Sequence, residues 1–231
     1  GACPILNTTR DGSAITSGLR SDPYNSYLVF SLPMNGSNGG TTFTDQSDSS
    51  QSISVNGNTQ TSTANSKYYG SSALFDGSGD SLTIGSTSDF AFGTGDYTIE
   101  MWVYHTDLTG QQTYFGDTYG GTAGIYTYKT STNQLSLYDN NQRSASATNI
   151  IHLNTWHHLA WTRTSGVIRE FVDGSCVSRD TPSTANYTVT QYYLGDTADQ
   201  TSGEFFGYMQ DVRVYKGVSK YTDNFIVTPL D

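Results

Sequence analysis

Short runs of β-branched and aromatic residues, separated by Gly, Asn, Ser or Pro, recur along most of the chain. Their spacing is close to the roughly 8–12 residues that is typical of β-sandwiches and barrels. Earlier in the chain, residues 26–32 form a β-branched and aromatic run that Pro33 ends, and shorter pieces at 52–55 and 59–61 alternate like strands. The later runs predict strands at 72–76, 81–84, 97–104, 112–117, 123–128, 134–139, 156–163, 166–172, 175–180, 191–195 and 205–215.

Turn and stop signals complete this pattern. Asp173-Gly174 lies between two strand-like runs and predicts a tight hairpin, because such turns need residues that tolerate positive φ. Asp76-Gly77 and Asp11-Gly12 are weaker examples of the same chemistry. A single helical turn is predicted at 218–221, and a last edge strand at 224–231, where Pro229 stops it.

So many short strands predict an all-β domain of two packed antiparallel sheets. The domain is expected to span residues 26–231, and the polar residues 1–25, with Pro4 and Pro23, to form an N-terminal arm or linker. A chain of 231 residues buries enough surface to fold without metals or disulfides as staples.

Composition narrows the classes of partner. The formal net charge is −10 and the few Lys and Arg are scattered, which argues against nucleic acid, since binding to phosphate backbones needs clustered cations. No apolar run approaches the roughly 20 residues of a membrane-spanning helix, so membrane insertion is not expected. The sequence begins without Met, which suggests a processed or excised form.

The two cysteines, Cys3 and Cys176, lie at opposite ends of the chain. Their spacing matches neither a zinc site nor a CxxC redox motif. They either form one bridge, which would suit an extracellular protein, or remain two thiols, and the sequence leaves both alternatives open.

Four segments carry a family resemblance. They are 72–80 (SALFDGSGD), 97–104 (YTIEMWVY), 156–174, which opens with WHHLAWTR and ends with FVDG, and 207–217 (GYMQDVRVYKG). In this order they resemble the laminin-G-like, concanavalin A-like lectin-glucanase jelly-roll family. The resemblance covers about residues 26–231 and implies a jelly-roll sandwich. Such domains occur in phage tail fibres and in other virion or bacterial surface proteins, which implies an extracellular or virion-surface location.

The same resemblance raises a structural calcium ion as a cofactor. In relatives with this jelly roll, an Asp in the last long strand often binds calcium together with an acid near the domain's N-terminus and a Gly carbonyl. The matching residues here are Asp211, Asp45 and Gly70. The alternative is that Asp211 is salt-bridged to Arg213 or exposed. The segment 76–80 looks superficially like a calcium loop but lacks the alternating acids of an EF-hand, and it is interpreted as a Gly-rich turn.

Catalysis is not expected. Glycosidases of this fold carry a Glu-x-Asp-x-x-Glu signature on one strand, whereas Glu100, Glu170 and Glu204 lie on three separate predicted strands. The adjacent His157 and His158 must point to opposite faces of a strand, so at most one of them enters a cleft.

Carbohydrate binding is the favoured function, and it rests on aromatic residues, because sugar C–H faces stack on rings. If 123–128 and 134–139 form a hairpin, Ile125 falls opposite Leu137 and Thr127 opposite Leu135. The opposite face then carries a tyrosine platform, which the preceding strand and loop could extend. The predicted carbohydrate-binding residues are Tyr126, Tyr128, Tyr138, Tyr114 and Tyr119. A covered, purely structural tyrosine face is the alternative.

The sequence therefore predicts a non-catalytic, lectin-like recognition module of a virion fibre or surface protein that attaches to host or matrix glycans. The alternative is a structural decoration or assembly module without a glycan ligand. The expected partners are cell-surface or matrix glycans and other virion or surface-structure subunits, with a homo-oligomer compatible with either function.

Overall fold

The computed structural model describes residues 22–117, 123–139, 143, 145–198 and 203–227. Within these ranges the chain forms fourteen strands and two short 3₁₀ helices, at Asn25–Tyr27 and Ser88–Phe90. The strands are β1 (Leu28–Leu32), β2 (Ile53–Asn56), β3 (Gln60–Ser62), β4 (Ser72–Asp76), β5 (Ser81–Ile84), β6 (Tyr97–His105), β7 (Gln112–Gly116), β8 (Tyr126–Lys129), β9 (Leu135–Tyr138), β10 (Trp156–Thr164), β11 (Val167–Val172), β12 (Ser175–Arg179), β13 (Tyr193–Leu194) and β14 (Phe206–Lys216).

The strands form two antiparallel sheets, which gives the predicted jelly-roll sandwich. The eight-stranded sheet has the order β12-β11-β10-β6-β14-β4-β3, and β1 also pairs with β14. The six-stranded sheet has the order β2-β5-β13-β7-β8-β9. Neighbours such as β6 and β14 are far apart in sequence, so each sheet brings distant segments side by side.

The hydrophobic core lies between the two sheets. Along β6, Ile99, Met101 and Val103 are fully buried in it, so Trp102 and Tyr104, which alternate with them, point to the outer face of the eight-stranded sheet. Aromatic rings fill much of the interior. Burying each large apolar side chain stabilises the fold by about 1.5–3 kcal/mol.

The predicted Asp173-Gly174 hairpin is present between β11 and β12. Both residues have positive φ, 50° and 79°, as this two-residue turn requires. Asp76-Gly77 begins a different kind of connection, since β4 belongs to the eight-stranded sheet and β5 to the six-stranded one. Residues 77–80 are therefore a Gly-rich turn that crosses between the sheets.

The predicted helical turn at 218–221 is wrong, and 224–227 does not form the predicted edge strand. Residues 217–227, called here the C-terminal strap, cross the outer face of the eight-stranded sheet in an irregular conformation. Side chains of the sheet satisfy its backbone: Thr98 Oγ1 donates to the Val218 carbonyl at 3.0 Å and accepts from the Lys220 N–H at 2.9 Å. The rings of Tyr221 and Phe225 stack 3.6 Å apart, which fixes the strap further.

Several predictions concern residues outside the described ranges. They include Cys3, Asp11-Gly12, the end of the chain from 228 and most of the arm at 1–25. Cys176 is half-buried, with its Sγ 3.5 Å from the Ser178 carbonyl, and both alternatives for the cysteines remain open. None of the helices in the described residues has the length and apolarity needed to cross a membrane.

Candidate functional site

The tyrosine cluster, defined as Tyr126, Tyr128 and Tyr138, lies on the outer face of the six-stranded sheet. The register pairs Tyr126 with Tyr138, two residues away from the predicted register, and this shift keeps the same side chains on the same face. The Tyr126 ring lies 4.8 Å from that of Tyr128 and 5.1 Å from that of Tyr138. However, Tyr126 and Tyr128 are only 3% and 4% exposed, so these two rings do not form an open platform.

Tyr114 was predicted to extend that platform, and the structure places it in the core instead. A bulge in β7, where the register shifts between Thr113 and Phe115, turns both Tyr114 and Phe115 inward. The Tyr114 hydroxyl lies 3.1 Å from His105 Nε2, and its ring packs against that of Trp161. Tyr119 lies outside the described residues.

A second group of aromatic side chains crosses the outer face of the eight-stranded sheet. Trp156 on β10 pairs with Tyr104 on β6, which pairs with Tyr208 on β14. These three residues, called the aromatic row, have ring centroids 5.6 Å and 5.9 Å apart. Trp156 and Tyr104 are partly exposed, and Tyr208 is 8% exposed. The row therefore presents ring surface to solvent, unlike Tyr126 and Tyr128.

Gly207 allows the strands of the row to approach each other. Its φ is 141°, and a Cβ atom at this position would lie 2.0 Å from the Tyr104 carbonyl oxygen. Only glycine fits such a close backbone contact. This explains the glycine that opens the 207–217 segment and shows that it helps to position Tyr104 and Tyr208.

A loop at residues 66–71, called the anchored loop, lies beside the aromatic row. The fully buried Gln210 holds it: its Oε1 accepts from the N–H groups of Lys67 and Tyr68 at 2.8 Å and 2.9 Å. The Gln210 side-chain amide also donates to the Ser71 carbonyl. Through these contacts the Lys67 ammonium lies 4.2 Å from the centre of the Trp102 ring.

The C-terminal strap closes another part of the same outer face. Lys220 Nζ lies 2.6 Å from Glu100 Oε1, and the Tyr221 hydroxyl donates to Glu100 Oε2 at 2.7 Å. Burial opposes ionisation of Glu100, but Lys220 and His158 outweigh it and hold the pKa of this carboxyl well below its usual range. The strap is thus fixed by a buried ion pair, and the aromatic row lies beyond it.

The two carboxylates predicted to bind calcium, those of Asp45 and Asp211, are occupied by protein donors. Asp45 accepts four hydrogen bonds, from the Ser31, Ser47 and Gln51 N–H groups and the Ser47 hydroxyl, at 2.8–3.0 Å. Asp211, in a bulge of β14 with φ of 54°, accepts from Arg213 Nε and lies 3.0 Å from Arg213 Nη2.

The Asp211–Arg213 pair is the alternative that the sequence left open. Gly70 is a turn residue of the anchored loop with φ of 81°. Since the Asp45 and Asp211 carboxylates are occupied by protein donors, these residues do not fit a calcium site in this arrangement. Calcium binding remains a prediction, which a melting-temperature titration of chelated protein would test.

The acidic and histidine side chains considered for catalysis lie in separate surroundings. Glu100 faces outward under the strap, whereas Glu170 is buried on the inner face of β11, and Glu204 accepts from the Gly79 N–H. His157 and His158 point to opposite faces, as predicted. His157 Nδ1 lies 2.7 Å from Asp173 Oδ2, while its Nε2 accepts from the His152 N–H, so both ring nitrogens are engaged.

The aromatic row was not predicted from the sequence. Its members occur in the segments that carried the family resemblance, but they lie on strands separated by about 50 residues each. One signal in the sequence indicated that these residues lie on an outer face. Trp102 and Tyr104 alternate with core residues along their strand, and Tyr208 precedes the core residue Met209. Pairing these strands in the order of a jelly roll would have aligned the three rings.

Comparison with known families identifies the domain. The family model Laminin_G_3, described as the concanavalin A-like lectin/glucanases superfamily, matches residues 76–220. The chain belongs to this family. The matched range contains all three residues of the aromatic row and ends at Lys220 in the strap. A search of curated proteins found no significant match.

Solved structures share the fold of this Laminin_G_3 domain. Domain 4 of AbnA, an extracellular arabinanase of Geobacillus stearothermophilus solved with arabinotriose, is 16% identical, with a TM-score of 0.62; the match covers 82% of this chain and 92% of that one. The binding domain of botulinum neurotoxin DC, solved with SialylT, is 13% identical, with a TM-score of 0.61, and the match covers 84% of this chain.

The same toxin domain was solved with rat synaptotagmin II, at 13% identity, a TM-score of 0.64 and 84% coverage of this chain. The chain spans about half the length of these toxin domains, 49% and 50%. At such identities the likeness concerns the fold, and function has to be argued from the site.

Proposed function

We propose that this chain is a non-catalytic, lectin-like module of a virion fibre or another extracellular surface protein, and that it attaches to glycans through the aromatic row. The observation that carries the proposal is the alignment of Trp156, Tyr104 and Tyr208 across three strands, in which Trp156 and Tyr104 are partly exposed. Sugar C–H faces stack on such rings, and neighbouring polar groups bind the hydroxyls. The arabinotriose and SialylT complexes of structural neighbours support this class of ligand.

The surroundings of the row suit a saccharide. Rings held on three strands of one sheet are rigid, so little conformational entropy is lost on binding. Polar side chains lie at both ends of the row: Gln60 is on the edge strand β3, one strand beyond Leu74, which pairs with Tyr208, and the exposed Asn154 and Thr155 precede Trp156. Single sites of this kind bind weakly, and several copies on a fibre would raise the avidity.

The absence of catalysis is part of this proposal. Glu100 is occupied by Lys220 and Tyr221, and Glu170 faces the opposite side of the same sheet. Hydrolysis of a glycosidic bond needs two carboxyl groups that flank the bond. Glu100 and Glu170 do not have this arrangement.

A glycan array with wild-type protein and the variants Trp156→Ala and Tyr104→Ala tests the proposal. Wild-type protein is expected to bind a related set of saccharides, and each variant to bind at least about thirty-fold more weakly, as for removal of a binding hot spot. Tyr27→Ala is the matched control, because Tyr27 is an aromatic residue that is 43% exposed and whose ring lies near Gly217, where an added Cβ atom would be 3.4 Å from it. Wild-type binding that survives both row variants would contradict the assignment.

The second candidate is an assembly module, favoured by the same observation, since Tyr and Trp are also enriched in protein interfaces. Under this alternative the row contacts a neighbouring subunit or a second copy. Light scattering distinguishes the two functions: a stable oligomer that Trp156→Ala dissociates, together with a blank glycan array, would favour assembly.

A further inference from the structure

We propose that the preferred ligand of the aromatic row is an anionic saccharide, whose carboxylate or sulfate group is bound by Lys67. This inference rests on the proposed function and adds the chemical class of the ligand to it.

Lys67 differs in its surroundings from Lys220, Arg213 and Lys129, three other cations of the described residues. Lys220 and Arg213 are paired with carboxylates, and Lys129 Nζ donates to two backbone carbonyls. The Lys67 ammonium instead contacts the rings of Trp102 and Tyr68, at 4.2 Å and 5.7 Å from their centroids. Within the described ranges no carboxylate forms a salt bridge with Lys67. Its positive charge is therefore available to an anion.

The position of Lys67 relates this charge to the aromatic row. Trp102, on which the ammonium rests, lies two residues from Tyr104 on the same face of β6, which corresponds to about 7 Å along a strand. A saccharide stacked on Tyr104 would therefore have a neighbouring residue or substituent within reach of the Lys67 side chain. A partly exposed cation near the partly exposed Tyr104 ring is electrostatically complementary to an anionic substituent of a bound saccharide.

The anchored loop holds Lys67 in place before any ligand binds. Gln210 accepts from two consecutive backbone N–H groups of the loop and donates back to the Ser71 carbonyl, and it is fully buried. Because Gln210 and Tyr208 alternate along the outer face of β14, one strand supports both the row and the loop. Gln210 is thus a positioning residue for the proposed anion contact.

A glycan array of matched sets tests the inference. Each set has one neutral backbone, such as lactose, with its carboxylate form, such as sialyllactose, and its sulfated form. Wild-type protein is compared with Lys67→Met, which removes the charge and keeps the length of the side chain, and with Lys67→Arg, which keeps the charge. Lys216→Met is the matched control, because its ammonium donates to the Ser88 carbonyl at 2.7 Å, away from the row.

We expect the anionic forms to bind wild-type protein about ten-fold or more tightly than the neutral forms, as for a charge-assisted hydrogen bond. Lys67→Met should abolish this difference while leaving neutral binding unchanged, and Lys67→Arg should retain most of it. Added salt should reduce the preference. A preference for sialylated forms alone would specify a carboxylate, and a preference for sulfated forms alone would specify a sulfate.

Equal binding of neutral and anionic forms, or a preference that survives Lys67→Met, would overturn the inference and leave the proposed glycan function standing. A blank array with all sets would overturn both. Loss of neutral as well as anionic binding in Lys67→Met would assign Lys67 to the support of the Trp102 ring, and would also overturn the inference.

Discussion

Each sheet carries a group of three neighbouring aromatic residues on its outer face, the tyrosine cluster and the aromatic row, and the two groups differ in exposure. In the tyrosine cluster of the six-stranded sheet, Tyr126 and Tyr128 are 3% and 4% exposed. In the aromatic row of the eight-stranded sheet, Trp156 and Tyr104 remain partly exposed beside the anchored loop. Tyr138 is the one partly exposed ring of the cluster, whereas two rings of the row are partly exposed, and this difference is the reason for proposing the row as the ligand-binding group.

The largest change in the free energy of unfolding is expected at the C-terminal strap, which covers part of the outer face of the eight-stranded sheet. Glu100→Gln should reduce the free energy of unfolding by about 4 kcal/mol at pH 7, because it leaves the buried Lys220 ammonium without its counter-charge. Urea denaturation measures this, with the partly exposed Glu204→Gln as the control. Since the pKa of Glu100 is lowered in the folded state, its stabilisation is present above its usual pKa of about 4.3 and is lost as the pH falls below it. A change below about 1 kcal/mol would contradict the ion pair.

A substitution in the tyrosine cluster is expected to give the next largest change in the free energy of unfolding. Tyr126→Ala is expected to cost about 3 kcal/mol of unfolding free energy, since it removes a ring that packs against those of Tyr128 and Tyr138. Tyr126→Phe keeps the ring and should cost less than Tyr126→Ala. If Tyr126→Ala unfolded like the wild type but no longer bound glycans, the original prediction of a tyrosine platform would be restored.

A smaller effect concerns a carboxyl group on the inner face of the eight-stranded sheet. Burial raises the pKa of Glu170 well above its usual range, with Ser178 and the Leu137 backbone opposing this in part. The stabilisation that the protonated Glu170 side chain gives to the fold is fully present below about pH 4.3. It declines as the pH rises toward the raised pKa.

Glu170→Gln should therefore be the more stable protein at pH 8. From pH 5 to pH 8, its free energy of unfolding should increase relative to that of the wild type by more than about 1 kcal/mol. Urea unfolding of both proteins at the two pH values checks this. Parallel stability changes in the wild type and the variant would show that Glu170 is already ionised in the folded state.

The sequence predicted the strands well because their signals are local. The alternation within 97–104 and 156–163 and the Asp173-Gly174 turn depend on neighbouring residues, and β6, β10 and the hairpin appear as expected. The prediction of a helical turn at 218–221 was wrong because the backbone of this segment is bound by a side chain that is distant in sequence. Its backbone partner is the Thr98 side chain, which is about 120 residues away in sequence.

The candidate site depends even more on contacts between residues that are distant in sequence. Tyr126, Tyr128 and Tyr138 share a face because their two strands are consecutive, so the sequence could group them, but it could not show that Tyr126 and Tyr128 are covered. The bulge that turns Tyr114 inward has no local sequence signal. The aromatic row needed the pairing of β10, β6 and β14, which only the tertiary structure supplies.

The central claim is that a saccharide binds on the aromatic row, and the indole N–H signals of the three tryptophans test it most directly. In an NMR titration with sialyllactose, or with the strongest saccharide from the array, the account predicts a large shift of the Trp156 signal and a smaller one for Trp102 beside Lys67. The signal of Trp161, which is fully buried in the core, should not move. A saccharide that binds while the Trp156 signal stays in place would contradict the account.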